Sequence, residues 1–235
     1  MTTFALVGSP VVASATWQLV ADVLNASGHD AVIAESADPP DGVSYWRRHA
    51  ESAARSLVDC TSRPVLVAHS GAGPLLPAIR QALGDSVSAY LFVDAALPSP
   101  GASRLDLLPP HLAKAQRSVL EAGGRLPAWS DADLAPLVPD VAVRATLLAG
   151  IRPQPLGFWT EPIEVFAEWP DAPCAYLRLS PAYELYVDQA RSRGWPIRTI
   201  DGGHFHLLVE PVDVATAMVE LVAELGIGGP HPDHR

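Results

Sequence analysis

The chain has 235 residues, 49% of them hydrophobic and 18% charged, which suits a folded globule and excludes a disordered chain. Its net charge of −10 repels phosphate backbones and anionic lipid, so neither nucleic acid nor a membrane surface is an expected partner. No apolar run approaches the roughly 18 residues that span a bilayer, and two cysteines, Cys60 and Cys174, form no disulfide framework; a cytoplasmic protein with reduced thiols is expected.

In chain order, short apolar runs alternate with helical patterns. Met1–Gly8 lacks a basic leader and reads as a buried strand over Phe4–Val7. Further strands are expected at Ala31–Ala34, Val65–Ala68, Tyr90–Val93, Ala175–Leu179 and Ile197–Ile200. Their nearly continuous apolar content is that of parallel strands covered on both faces. Helices are expected at Ala15–Ser27, Tyr45–Asp59, Ala72–Leu83, Ala182–Arg193 and Val212–Leu225. Repeated βα units give an α/β fold with a mostly parallel six-stranded sheet flanked by helices.

The alternation stops between Pro98 and Pro173, where prolines are frequent and helix-like pieces fall at Pro110–Ala122 and Asp131–Leu148. A segment that long should have structure of its own, so residues 98–173 are expected to form a helical cap inserted after the fourth strand. The core is then 1–97 and 174–226, with 227–235 a flexible tail in which His231 and His234 have no expected role.

Two stretches carry chemistry. In Val65-Leu-Val-Ala-His-Ser70-Gly-Ala-Gly-Pro74 an apolar strand runs into a serine, with a helix following and only alanine at 68 and 72. A serine on such a strand-to-helix turn is lifted above the sheet, and the helix start aims N–H groups at a developing oxyanion. A serine between small residues also serves as a helix cap, so this stretch alone leaves its role open. In Ile200-Asp-Gly-Gly-His204-Phe-His-Leu-Leu-Val-Glu-Pro211 a histidine follows the last strand and can swing over the sheet towards Ser70. His206 competes as the base, but the glycine pair directly before His204 favours the latter.

These stretches, with the first turn Leu6-Val-Gly-Ser-Pro10 and Trp17 beyond it, resemble the α/β-hydrolase superfamily, and in particular small cap-bearing members similar to plant esterases, hydroxynitrile lyases and bacterial hydrolases of this size. The resemblance spans nearly the whole chain, cap least. It implies an α/β-hydrolase fold and, from its first strand, a sheet without the antiparallel edge pair of larger members. It also implies a serine hydrolase acting through an acyl-enzyme, with Ser70 as nucleophile and His204 as general base.

Two departures matter. The family's second oxyanion donor is a backbone N–H in the first turn, where Pro10 has none. Gly71 N–H then needs help from the Val11 N–H or the Ser9 hydroxyl. The family's usual acid position, after the fifth strand, holds Ser180-Pro-Ala-Tyr183 without a carboxylate. Asp94, at the end of the fourth strand, matches the acid position of dehalogenase-like relatives and is the expected acid; Glu184 and Asp188 follow too late, on a helix. Asp38, Asp41, Asp131 and Asp133 read as turn or cap residues. His69, His206, Trp129 and Trp159 complete the expected substrate surroundings, favouring an ester, thioester or lactone of a small apolar or aromatic molecule. No metal cluster or phosphate loop is present in the pattern, so no cofactor is expected. The alternatives are a lyase or cyclase using the same residues for acid–base work, or a non-catalytic binding protein on this fold. The partner expected is a small-molecule substrate, with a homodimer left open.

Overall fold

A computed structural model describes residues 1–35, 44–60 and 62–227. The tail histidines and Asp38 and Asp41 lie outside them. Six strands, β1 (Thr3–Val7), β2 (Asp30–Ala34), β3 (Val65–Ser70), β4 (Ala89–Ala95), β5 (Cys174–Arg178) and β6 (Ile197–Thr199), form one sheet in the order β2-β1-β3-β4-β5-β6. Every pairing is parallel. An all-parallel sheet must be covered on both faces, and alternate strand residues supply the two cores. Phe4, Leu6, Val65, Val67, Leu91, Val93 and Leu177 face α1 (Gln18–Ala26) and α10 (Pro211–Glu224), meeting Val20, Leu24, Val214, Met218 and Leu221. Ala5, Val7, Leu66, Ala68, Tyr90, Phe92 and Tyr176 face the other way, towards α2 (Tyr45–Ser56), α3 (Leu76–Leu83) and α8 (Glu184–Ser192). Trp17 is fully buried and its indole N–H donates to the Val7 carbonyl at 3.0 Å, pinning the turn that leaves β1.

Element ends depart from the expected ones where local chemistry intervenes. The first helix begins as a 3₁₀ turn, Ser14–Trp17, and α3 is preceded by another, Gly73–Leu75; Gly84 in left-handed conformation ends α3. Between β4 and β5 run four helices: α4 (Pro110–Glu121), α5 (Asp131–Leu134), α6 (Val141–Ala149) and α7 (Leu156–Thr160). The expected single helix over Asp131–Leu148 is two, because Pro136 and Pro139 interrupt it. Ser130 and Asp133 form a capping box that starts α5, and the Asp140 carboxylate accepts from Ala142 N and Val143 N, both at 2.9 Å, to start α6. Asp131 pairs instead with Arg144 at 2.7 Å. Among the described residues no helix is long and apolar enough to cross a membrane.

Candidate active site

β1 lies between β2 and β3, so the chain reverses its direction of travel across the sheet there, and the carboxyl ends of β1 and β3 form its topological switch point. Two turns meet there. At the end of β3, Ser70 takes a left-handed φ of 60°, a conformation that costs a non-glycine residue about 1–3 kcal/mol. Neighbouring small residues let the chain make it. A Cβ added at Gly73 would come within 1.9 Å of the Ala96 carbonyl oxygen, so glycine there is required by the strand packed alongside. A Cβ at Gly71 would meet the Ser9 hydroxyl at 3.1 Å. Ser9, from the turn after β1, is 4% exposed and its hydroxyl has no hydrogen-bond partner among the described residues. A buried, unpaired donor beside the Gly71 backbone is costly unless something arrives to use it.

Asp94 reaches the site through an irregularity in β4. His69 is paired with Val93 and Ser70 with Ala95, leaving Asp94 as an extra residue with φ 43°. Such a bulge re-aims one side chain, here out of the sheet alternation towards the end of β5. The carboxylate is 0% exposed and fully occupied. Oδ1 accepts from Leu179 N at 3.0 Å and Ser180 N at 2.9 Å; Oδ2 accepts from the Ser180 hydroxyl at 2.6 Å and from His204 Nδ1 at 2.8 Å. Burial pushes its pKa up, but the hydrogen bond and charge of His204, with the bonds from Ser180 and Leu179, together hold it below the ordinary carboxylate value. Tyr176 braces the bulge, donating to the Ala95 carbonyl at 2.8 Å and accepting from Ala95 N at 3.2 Å.

His204 sits in the turn between β6 and α9 (His206–Val209), its side chain 17% exposed. Because the Asp94 carboxylate only accepts, Nδ1 carries the proton, and Nε2 is free to accept from the Ser70 hydroxyl, 2.9 Å away. The glycines before it act differently from the expected tight turn. Neither Gly202 nor Gly203 has a positive φ; instead a Cβ at Gly202 would lie 2.5 Å from the His206 imidazole. His206 folds back over Gly202 and forms no hydrogen bond with Ser70.

The other sequence candidates fall at different depths. His69 is 2% exposed, its Nε2–H donates to the His204 carbonyl at 2.9 Å, and burial, with the charge of His204, lowers its pKa to about 3, so it is neutral. This places it behind the histidine loop, against the His204 carbonyl. Val11 is buried, and its carbonyl accepts from Arg152 N at 2.9 Å, tying the first turn to the α6–α7 connection. Trp129 meets the site through Phe205, edge to face at 5.6 Å. Trp159 packs against Phe158 at 5.5 Å and belongs to a second aromatic group with Tyr45. Glu184 pairs with Arg178 at 3.4 Å and Asp188 with Arg191 at 2.5 Å, both turned to solvent.

Two residues were not singled out from sequence. Ser180 holds Asp94, and Tyr183 stacks on His204 with ring centroids 4.9 Å apart and its hydroxyl 3.4 Å from Ser70 Oγ. The available signal was position: both occupy the slot where the acid was missing.

The model of the alpha/beta hydrolase family matches residues 6–217. The chain belongs to that family. Solved structures agree on the fold of this α/β hydrolase. An extracellular alpha/beta-hydrolase from a Paenibacillus species, described as structurally and functionally homologous to tobacco salicylic acid binding protein 2, superposes with TM-score 0.77 at 20% identity, over 94% of this chain and 99% of its own. Polyneuridine aldehyde esterase gives 0.70 at 16% over 94% and 99%. A pyrethroid hydrolase gives 0.71 at 16% over 95% and 98%. No curated protein matches the chain in sequence.

Proposed function

We propose that this α/β hydrolase cleaves an ester, thioester or lactone of a small apolar or aromatic molecule through an acyl-enzyme on Ser70. The observation that carries the reading is the continuous line Ser70–His204–Asp94, with bonds of 2.9 and 2.8 Å, built on a left-handed turn at Ser70. Such strain persists where it positions a group for reaction. His204 Nε2 takes the Ser70 proton as Oγ attacks the carbonyl carbon, and Asp94 stabilises the imidazolium. The oxyanion falls between Gly71 N–H and the Ser9 hydroxyl, which replaces the N–H that Pro10 lacks. The imidazolium protonates the leaving oxygen or sulfur, and water, deprotonated by the same Nε2, releases the acid. Residues 98–173 act as a cap over Ser70, and Trp129, through Phe205, brings apolar surface to it. The sequence of events uses no cofactor.

A fluorophosphonate should add once, at Ser70, and abolish turnover of aryl esters; Ser70→Ala should give no adduct. Turnover without labelling at Ser70 would favour lyase or cyclase chemistry, and a folded protein with neither would favour simple binding.

A further inference from the structure

Two hydrogen bonds hold the His204 ring by its ends, Nδ1 to Asp94 and Nε2 to Ser70. Both act in the plane of the ring, so they resist its tilting out of that plane only weakly. The second bond does not survive the first half of the proposed reaction. Once Oγ carries an acyl group it has no proton to give, and the imidazole keeps only its Asp94 end. Deacylation still requires Nε2 to point at a water. Something besides Ser70 must hold the ring at that stage.

Two flat faces are in place to do so. The His69 ring lies 4.5 Å from that of His204 at 28°, and the Tyr183 ring lies 4.9 Å away at 3°. Both rings stack on that of His204 and restrict how far it can tilt. Each is itself fixed. His69 is bonded to the His204 carbonyl and braced by Trp17 at 6.0 Å. Tyr183 closes the Ser180 turn, whose hydroxyl and N–H hold Asp94, and it packs on Tyr186 at 5.7 Å. Phe205 meets the edge of the His204 ring at 5.1 Å. Burial raises the Tyr183 pKa, so its hydroxyl stays protonated beside Ser70.

We propose that Tyr183 and His69 form a clamp that positions the His204 imidazole, and that Tyr183 matters most after acylation. The inference rests on the acyl-enzyme reading. In the step it serves, Nε2 takes a proton from water and the water oxygen bonds to the acyl carbon. The C–Oγ bond then breaks, Oγ recovers the proton from Nε2, and free Ser70 and the acid result. A loose ring slows this step more than acylation, where the Ser70 hydroxyl still guides Nε2.

Stopped-flow turnover of an activated aryl ester tests it. Tyr183→Leu should release about one equivalent of phenolate in a burst at near wild-type rate, then turn over about tenfold to a hundredfold more slowly, the scale known for small misplacements. Tyr183→Phe, which keeps the face, should turn over within a few-fold of wild type. Circular dichroism checks folding, and Tyr183→Gln replaces Tyr183→Leu if the latter does not fold. Wild-type turnover in the face-lacking variant, or an equal fall in burst and steady state, overturns the clamp. Fluorophosphonate labelling of wild type separates the two failures: no Ser70 adduct sinks the acyl-enzyme reading, whereas normal labelling with an unaffected Tyr183→Leu sinks the clamp alone.

Discussion

Replacing Asp94 by asparagine changes one atom in a fully occupied site, and the hydrogen bonds around that atom dictate the outcome. Oδ1 receives two backbone N–H groups, Leu179 and Ser180, that cannot become acceptors. The oxygen of the introduced amide must therefore take that place, and its NH₂ turns to the Ser180 hydroxyl and His204 Nδ1. Nδ1 can accept from it only by giving up its proton, which moves to Nε2. The imidazole is then in the tautomer that cannot accept from Ser70, and its cation has lost its counter-charge. In serine triads such a change lowers kcat by about 10⁴, or about 5 kcal/mol of transition-state stabilisation. Aryl-ester turnover and the rate of phosphonate labelling should both fall by that order in Asp94→Asn, with the fold intact, while Glu184→Gln and Asp188→Asn stay within a few-fold of wild type. A near-normal rate in Asp94→Asn would refute the reasoning, as would an equal loss in either control. The same variant has a pH signature. The folded pKa of Asp94 is depressed, so its contribution to stability is complete above the unfolded value of about 3.9 and is lost as pH falls through the folded one. The gap in urea midpoint between wild type and Asp94→Asn should hold steady above about pH 5 and close below about pH 4.

The remaining expectations concern neighbours of the line. His69 is neutral when folded, with a pKa of about 3, but takes a proton near pH 6.5 when unfolded, so stability falls with pH below that value; from pH 6.5 to 5 wild type should lose about 2 kcal/mol that His69→Gln does not, measured by urea unfolding. Gly73→Ala drives a Cβ against the Ala96 carbonyl and should cost about 3 kcal/mol or more in stability, whereas Gly71→Ala meets only a serine hydroxyl and should fold and lose activity. Ser9→Ala should lower kcat about 10²-fold with little change in KM or melting temperature, and an unchanged kcat would remove Ser9 from the oxyanion site.

The fold was legible because its signals are local and repeated. Continuous apolar strands such as Phe4–Val7 and Val65–Ala68, each followed by a helical stripe, leave few arrangements beyond a covered parallel sheet. Legibility failed where a polar group settles an element end. Pro136 and Pro139 split one expected helix, and Asp140 restarts it. The glycine pair at 202–203 looked like a turn requirement, yet Gly202 makes room for the folded-back His206 and Gly203 lies against Leu137. Composition carries glycine's presence, not which of its two freedoms the chain needs.

At the site, the residues that announced themselves are those whose type is rare in their setting: a serine ending an apolar strand, a histidine after the last one. Asp94 could be named from its strand end, but the bulge that turns it could not, since nothing in Phe92-Val-Asp-Ala-Ala marks an extra residue against Ser70. The slot after β5 is the instructive case. Read for a carboxylate, Ser180-Pro-Ala-Tyr183 is empty. Read for what an acid on the neighbouring strand would need, it is full, because an acid arriving from β4 must be held from β5, and Leu179 N, Ser180 N and the Ser180 hydroxyl do that. Tyr183, from the same turn, lays its ring on His204 while Asp94 holds Nδ1. Moving the acid one strand over therefore changes the demands on three other positions, and those positions carry no signature until the strands are laid side by side.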